Sequence, residues 1–193
     1  MNLVDKLRGH KEELVAAAGE VSFVVFLCGP TLNEEARTPS ASLRENIRER
    51  LEKEGFEVVL GEDDGLEDAR LSLGINAQDN ELEFIRNHCN AVIIIADSVG
   101  AFCELGLFSW HFVHEAGVIE NGSRTDFIVL VDGQYQTHRS YLNEGPVNAV
   151  KGFGLAHFVD FSTYDVDDIV RRFKSRRGVL TIDQRGRRRG DEP

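Results

Sequence analysis

The chain has 193 residues, of which 41% are hydrophobic and 28% are charged, and its formal net charge is -11. This size and apolar content suit one globular domain, and the negative charge argues against nonspecific binding of nucleic acid or anionic membranes by the body of that domain. No apolar run is long enough to cross a bilayer and residues 1–14 carry charges where a signal peptide needs an apolar block, so we expect a cytoplasmic protein without a membrane partner.

The three cysteines, Cys28, Cys89 and Cys103, are an odd number without CxxC spacing, which argues against a disulfide framework and against a structural zinc site. We expect them to pack as small apolar side chains. His111 and His114 lie three residues apart on one predicted helix, but the HExxH order and an evident third ligand are missing. We therefore predict no metal site and no bound cofactor.

The first third of the chain predicts a leading helix and then two strands joined by a helix. Residues 21–28 are almost all apolar and end in Gly29-Pro30, as expected of a strand buried on both faces in a parallel sheet. Ser40 or Ser42 can cap the following helix, and Gly55 is suited to end it. The predicted spans are residues 2–18 (helix), 21–28 (strand), about 40–54 (helix) and 56–60 (strand).

The rest of the chain continues the alternation of helices and strands. Residues 61–78 form a long segment rich in Gly, Asp and Glu, which predicts a lid or binding loop. Later, Gly145-Pro146 is expected to interrupt any helix that would cover residues 136–150. The predicted spans are a helix from 79 to about 89, a strand at 91–96, a helix at about 101–116, strands at 127–131 and 157–160, and a final helix at 165–177.

This alternation predicts an α/β fold, a three-layer α/β/α sandwich whose five-stranded parallel sheet has the flavodoxin- or TIR-like order 2-1-3-4-5. In that order a ligand-binding crevice lies between the strand that ends at Cys28 and the strand that ends at Ala96. We place one domain at residues 1–178 and a basic, flexible C-terminal tail at 179–193. The Arg185–Arg189 stretch of that tail can contact a nucleic acid or a partner protein, or it can be a solvated end that contacts nothing.

Residues 97–106 are the most informative segment, because they follow the strongest strand at its carboxyl end. Glu104 falls in the first turns of the next helix, beside the crevice, with Leu107 and Phe108 as its i+3 and i+4 neighbours. A carboxylate among apolar groups can have a shifted pKa and can act as a base or nucleophile. The alternative is a glutamate that only interacts favourably with the helix dipole.

The sequence also leads to predictions for a glycine and three aromatic residues of the same helix. Gly106 is unfavourable in a helix interior, which predicts close packing there against the sheet or a ligand. The aromatic residues Phe108, Trp110 and Phe112 can stack on a base, but we expect them to belong to the core.

Several motifs together resemble a known family. Phe26-Leu27-Cys28-Gly29-Pro30 follows the first strand, Asp79 opens a helix, and Asp97 to Gly106 fits Asp-Ser-x-Gly-x-x-x-Glu-Leu-Gly. The pattern, over about residues 21–110, resembles the nucleoside 2-deoxyribosyltransferase-like superfamily, and most closely the ribosyltransferase-like effectors of bacterial retron and phage-defence systems. The resemblance implies that residues 1–178 form a domain of this type with a leading helix. We also expect a homo-oligomer.

The resemblance implies roles for individual residues. Glu104 would be the nucleophile at the anomeric carbon of the sugar, and Asp79 would handle the base or the ribose. Transferases of the family often have an acid where this chain has Ser98, which favours hydrolysis over base exchange. Gly29 and Gly100 allow close approach of backbone to ligand. The predicted catalytic residues are Glu104 and Asp79, and the predicted substrate-binding residues are Cys28, Gly29, Pro30, Asp97, Ser98 and Gly100.

We therefore predict an enzyme that cleaves the N-glycosidic bond of a nucleotide, a nucleoside or NAD through Glu104, as a toxic effector of phage defence. NAD would be a substrate and not a cofactor. One alternative is a deoxyribosyltransferase of nucleoside salvage, for which base exchange must outrun hydrolysis. Another is a non-catalytic nucleotide-binding sensor that uses the basic tail, for which replacement of Glu104 should leave cellular function intact.

Overall fold

A computed structural model describes residues 3–32, 38–62, 76–114, 125–137 and 139–187. The chain divides into two compact units. The smaller unit combines residues 1–23 with residues 165–193, and the larger unit is residues 24–164. The larger unit contains the whole sheet and every residue predicted for the site.

All five strands of the larger unit are parallel, and their order across the sheet is 2-1-3-4-5. The α/β fold class and the strand order predicted from the sequence are therefore confirmed. The strands are β1 (Val24–Cys28), β2 (Glu57–Val59), β3 (Ala91–Ala96), β4 (Asp126–Asp132) and β5 (Leu155–Val159).

The two central strands β1 and β3 are buried along their whole length, which explains why they are apolar without alternation. Their register pairs Val25 with Ala91 and Cys28 with Ile94. The carboxyl ends of β1 and β3 thus lie side by side. Since the order of the strands reverses between them, this edge is the switch point at which ligands bind in open α/β sheets.

Helices cover both faces of the sheet within the larger unit. Alternate residues of β1 and β3 share a core with α3 and α4, and Ile95, which points to the other face, approaches Arg44 of α2 around Gly29. The described helices are α1 (Leu3–Gly19), α2 (Pro39–Lys53), α3 (Ala77–His88), α4 (Val99–His114), a 3-10 turn (Gly133–Tyr135), a π-helical turn (Asn143–Val147), α5 (Asn148–Lys151) and α6 (Asp167–Arg187).

The cap of α2 differs from the prediction. Thr38, and not Ser40 or Ser42, is the N-cap residue, and its side chain accepts a hydrogen bond from the Ala41 backbone N–H at 3.2 Å. Pro39 then occupies the first helical position, where a missing N–H is not needed. The predicted helix end at Gly55 is confirmed, because this residue has a φ of 75°, the left-handed conformation that favours glycine.

The Gly145-Pro146 segment does not break the helix, contrary to expectation. The chain winds through it as a π-helical turn and continues into α5, with Pro146 and Val147 buried. A proline ring in an α-helix clashes with the carbonyl four residues earlier, and the wider π turn moves that carbonyl away.

The final helix is longer than predicted, since α6 continues from Asp167 to Arg187. The boundary placed at residue 178 and the flexible tail from 179 therefore fall within a helix as far as Arg187. Phe173, Arg177 and Thr181 are buried and are spaced four residues apart, so the buried face of the helix extends past the predicted end although two of these side chains are polar. Residues 188–193, including part of the basic stretch, lie outside the described residues.

Other expectations also fall outside the described part of the chain. Residues 63–75 make up most of the predicted lid, and residues 115–124 contain the end predicted for the helix that begins at Val99. Among the helices in the described ranges, none has both the length and the apolar character needed to cross a bilayer.

Candidate functional site

Glu104 lies in the second turn of α4, which begins just after the carboxyl end of β3. Its side chain is partly buried, in agreement with the expected position beside the switch point. The neighbouring residues Leu105 and Phe108 are fully buried in the core that α4 shares with the sheet. Glu104 is therefore anchored beside this core, and its Oε2 atom is shielded from bulk water.

The two oxygens of the Glu104 carboxylate differ in their contacts. The Cys28 thiol at the end of β1 donates a hydrogen bond to this carboxylate. Oε2 of Glu104 is buried and has no hydrogen-bond partner among the described residues. A buried acceptor without a partner costs free energy, so such an atom in a folded protein calls for an explanation.

The surroundings of Glu104 change its acidity. Burial raises the pKa of the Glu104 carboxyl above its ordinary value, and the negative charge of Glu62 adds to the rise. The positive charge of Arg44 and the hydrogen bond from Cys28 act in the opposite direction, but they do not cancel the effect of burial. A carboxylate with a raised pKa is a stronger base and a better nucleophile once it is ionised.

Cys28 stays a neutral thiol in this environment. Burial raises its pKa well above the ordinary value, and the negative charges of Glu104 and Glu81 raise it further. A thiol that keeps its proton can donate a hydrogen bond but cannot act as a thiolate nucleophile. The contact of Cys28 with Glu104 therefore fits a supporting role at the site.

Arg44 is the buried cation of the site, with a side chain that is 2% exposed. It points from α2 toward the end of β1, where its Nη2 donates to the Leu27 carbonyl at 2.8 Å and its Nη1 to the Pro30 carbonyl at 3.1 Å. The same two nitrogens bind both carboxylate oxygens of Glu62 at 2.6 Å and 2.8 Å. Burial alone would raise the pKa of Glu62, but the hydrogen bonds and charge of Arg44 lower it.

Asp97 and Ser98 connect the start of α4 with the start of α2. The Ser98 hydroxyl accepts a hydrogen bond from the Ala101 backbone N–H at 3.1 Å and so caps the start of α4. The Ser40 hydroxyl donates a hydrogen bond to Oδ2 of Asp97, and Thr38 Oγ1 lies 2.8 Å from the Ser40 oxygen. Asp97 is thus turned toward α2. The predicted contacts of Asp97 and Ser98 with a substrate stay predictions.

Asp79 lies at the N-terminus of α3 and is exposed. Its backbone N–H and its carboxylate both bind the side chain of Asn76, the cap residue of that helix. Glu81 lies two positions later and therefore on the opposite side of α3. Oε1 of Glu81 is 3.0 Å from the position that a Cβ on Gly61 would occupy, and its charge acts on Cys28. The described contacts associate Glu81 with the site, and the catalytic role of Asp79 stays a prediction.

The glycines differ in the space around them. A Cβ on Gly29 would lie 3.2 Å from both Arg44 Cδ and Ile95 Cβ, so the backbone here passes closely between α2 and β3. A Cβ on Gly100 or on Gly106 would meet no atom of the described residues within 4 Å. The close packing expected at Gly106 against the sheet is therefore wrong for the described part of the chain.

The aromatic residues of α4 were predicted to be core, and this holds for two of the three. Phe108 is fully buried, and Phe112 stacks on Phe153 with ring centroids 5.6 Å apart. Trp110 is 55% exposed and stacks on His114, with 4.8 Å between ring centroids. Among the described residues there is no group of three or more His, Cys, Asp or Glu side chains that could hold a metal ion.

The sequence model of a family described as "STM3845 retron effector protein" matches residues 40–185, which is more than half of the chain. The chain belongs to the STM3845 retron effector family. Membership fits an effector role in phage defence. No curated protein and no solved structure matches the chain.

The matched range of the retron effector family includes some of the site residues and leaves out others. Arg44, Glu62 and Glu104 lie within residues 40–185, whereas Cys28 and the Gly29-Pro30 turn precede it. The match confirms the retron part of the resemblance seen in the sequence. It does not extend to the nucleoside deoxyribosyltransferase-like superfamily.

Four residues of this retron effector's site were missed by the sequence reasoning. The sequence of α2 did contain a sign of the buried polar residues, because Ser40 and Arg44 lie on the same helical stripe as Ile47 and Leu51, which are buried. A serine and an arginine on an apolar stripe must be hydrogen-bonded, which marks them as structural or functional. The missed residues are Ser40, Arg44, Glu62 and Glu81.

Proposed function

We propose that this retron effector cleaves the N-glycosidic bond of a nucleotide, a nucleoside or NAD, with Glu104 as the carboxylate that attacks the anomeric carbon. The observation that carries the proposal is Oε2 of Glu104, which is buried at the switch point of the sheet and has no hydrogen-bond partner within the described ranges of the chain. The Cys28 thiol donates a hydrogen bond to the same carboxylate.

The chemistry follows from the position of this oxygen. Oε2 forms a bond to the anomeric carbon while the bond from that carbon to the base nitrogen breaks, and the base leaves with the bonding electrons. Water then attacks the same carbon and gives up a proton to solvent or to the second acid in its ionised form, the bond to Glu104 breaks with its electrons returning to the carboxylate, and the ribose product is released with any phosphate groups that it carried. Positive charge develops on the sugar ring in both steps, and the carboxylate stabilises that charge.

A second acid is expected to protonate the leaving base. The resemblance assigns this role to Asp79, and the contacts of Glu81 with the site make Glu81 a second candidate for it. The variants Asp79→Asn and Glu81→Gln distinguish the two. The acid that protonates the base gives a large loss with ordinary nucleosides and a smaller loss with a substrate whose leaving base already carries a positive charge.

The deciding experiment measures release of free base by chromatography. Purified protein is incubated with NAD and with a panel of nucleosides and nucleotides, and the parent is compared with Glu104→Gln. We expect the variant to be slower by about 10³-fold, the scale seen when a group that stabilises transition-state charge is removed.

The matched control is Glu83→Gln, the same chemical change at an exposed glutamate of α3 that binds Asn87 at 2.6 Å. This control should cleave at the parental rate. Absence of base release from every substrate, or equal rates for Glu104→Gln and the parent, would contradict the proposal. Adding an acceptor base separates hydrolysis from transfer, because a transferase then yields a new nucleoside.

Family membership supports a cellular version of the test. Expression of the effector without the rest of its retron should be toxic, and Glu104→Gln should abolish that toxicity while the protein accumulates to the parental level. A sensor that only binds nucleotides would stay active after this substitution.

A further inference from the structure

The guanidinium of Arg44 binds the chain on both sides of Cys28. It donates to the carbonyl of Leu27, the residue before Cys28, and to the carbonyl of Pro30, two residues after it. Two backbone acceptors at fixed positions and one planar donor group define the path of the short segment between them. The segment so held is Cys28-Gly29.

The packing around this segment is tight. A Cβ on Gly29 would lie 3.2 Å from Arg44 Cδ on one side and 3.2 Å from Ile95 Cβ on the other. The backbone at Gly29 therefore fits closely between the arginine stem and β3, and a side chain there would require one of these neighbours to shift. Movement of Arg44 would free the segment on one side.

Glu62 holds Arg44 in this position. The pair has two parallel hydrogen bonds, at 2.6 Å and 2.8 Å, which is the geometry that suits a guanidinium and a carboxylate. Glu62 is 46% exposed, whereas Arg44 is almost completely buried. Removal of the glutamate charge would leave a buried cation without its counter-ion.

We propose that Arg44 is a positioning residue: fixed by Glu62, it holds the segment that carries Cys28, and the Cys28 thiol in turn orients the Glu104 carboxylate. The inference rests on the function proposed above, because it concerns the same carboxylate. It assigns a role to an ion pair that does not touch the reacting atoms.

The charges around Glu104 give the proposal a distinctive signature. Glu104 is influenced by Cys28 from β1, by Arg44 from α2 and by Glu62 from the segment after β2, and Glu81 of α3 acts on Cys28. The charge of Arg44 lowers the pKa of Glu104, and the charge of Glu62 raises it. Removing one or the other charge should therefore move the pKa of Glu104 in opposite directions.

The experiment measures the pKa of Glu104 by NMR titration of protein with ¹³C-labelled glutamate carboxyl groups, with the signal assigned by its loss in Glu104→Gln. We expect Arg44→Gln to raise this pKa and Glu62→Gln to lower it. Both variants should lower kcat, because both release the segment. A fall of about 10²-fold is expected when a reacting group is displaced by about 1 Å.

Arg44→Lys separates charge from hydrogen bonding. It keeps a positive charge but loses the planar set of donors, so the hydrogen bond from Cys28 to Glu104 should weaken: the pKa of Glu104 should rise by less than in Arg44→Gln, and kcat should fall. Arg50→Gln removes the same charge from an ion pair with Glu54 farther along α2 and should change neither quantity. Parental kcat in both Arg44→Lys and Glu62→Gln, or equal shifts of the pKa in Arg44→Gln and Glu62→Gln, would overturn the proposal.

The experiment remains informative in two cases, when the Arg44 variants do not fold and when the parent protein shows no activity. If the Arg44 variants do not fold, Glu62→Gln decides, because Glu62 is half exposed: a lower pKa of Glu104 with reduced kcat supports the proposal, and no change in either overturns it. If the parent protein releases no base from any substrate, the proposed function fails. The pKa of Glu104 in Arg44→Lys, which keeps the charge and loses the planar donors, then still tests the positioning: a rise supports it and a parental value overturns it, because NMR does not require activity.

Discussion

The hydroxyl of Ser40 donates a hydrogen bond to Oδ2 of Asp97, which joins the first turn of α2 to the residue that follows β3. Ser40 is fully buried, and its oxygen also lies 2.8 Å from Thr38 Oγ1, the cap of the same helix. The starts of two helices are therefore connected at the edge of the sheet where the candidate site lies.

Ser40→Ala should destabilise the protein, because Asp97 loses a donor in a partly buried position. We expect a loss of about 1–3 kcal/mol in the free energy of unfolding, measured by urea denaturation. Ser42→Ala makes the same chemical change at an exposed position of the same helix and should have little effect. Equal losses for the two variants would show that the contact with Asp97 does not stabilise the fold.

Two glycine-to-alanine substitutions should have opposite effects on stability. A Cβ on Gly154 would lie 2.4 Å from the Phe127 carbonyl oxygen, so Gly154→Ala forces backbone to move and should cost about 1–3 kcal/mol. A Cβ on Gly106 meets no described atom within 4 Å, and alanine is favoured over glycine inside a helix by about 1 kcal/mol.

Measuring the free energy of unfolding of Gly154→Ala and of Gly106→Ala checks both predictions. If Gly106→Ala is stabilised as expected but cleaves more slowly than the parent, the open space at Gly106 is needed by the substrate. A destabilised Gly106→Ala would instead show that the residue packs closely, as the sequence had suggested.

Replacement of Cys28 should change the pH dependence of cleavage. Cys28→Ala removes the hydrogen bond that favours the charged form of Glu104, so the pKa of Glu104 should rise and the acid limb of kcat/KM should move to higher pH. Cys28→Ser keeps a donor and should not move the limb upward. Identical profiles for the two variants would contradict the described role of the thiol.

Glu104→Gln should be more stable than the parent at neutral pH. Because the fold raises the pKa of Glu104, this group contributes stability that is fully present below the pKa of the unfolded chain and is lost as pH rises through the pKa of the folded protein. Glutamine has no charge to bury and escapes that loss. The difference in Tm between variant and parent should therefore grow as pH is raised.

Thermal denaturation at a series of pH values measures this difference. For a chain of this length, about 1 kcal/mol corresponds to roughly 2–4 °C in Tm. A parent that gains stability relative to Glu104→Gln as pH rises would show that Glu104 is better stabilised as an anion than its surroundings indicate.

Much of the fold could be predicted from the sequence because the buried parallel strands have a strong local signal. Ala91–Ala96 was placed at its observed bounds, since an uninterrupted apolar run of that length between polar segments has few alternatives. The strand order followed from the alternation of strands and helices. Element ends were less accurate, since α6 extends to Arg187, beyond the end predicted at residue 177.

The candidate site was predicted only in part. Glu104 could be found because it follows the strongest strand within a motif, and its partial burial follows from helical spacing. Arg44 and Glu62 are 18 positions apart and belong to different segments, so no local pattern relates them. Such a pair becomes evident only when the strand order brings the end of β1 beside the end of β2.

The acid–base character of Glu104 depends on groups that come from β1, α2, the segment after β2 and α4. In an unfolded or partly synthesised chain these groups are separated by water, and Glu104 titrates as an ordinary surface acid. Any chemistry that requires the raised pKa is thus acquired only on completion of folding. If Glu104 acts as proposed, a cell that makes this polypeptide meets its reactivity only after the strands have assembled.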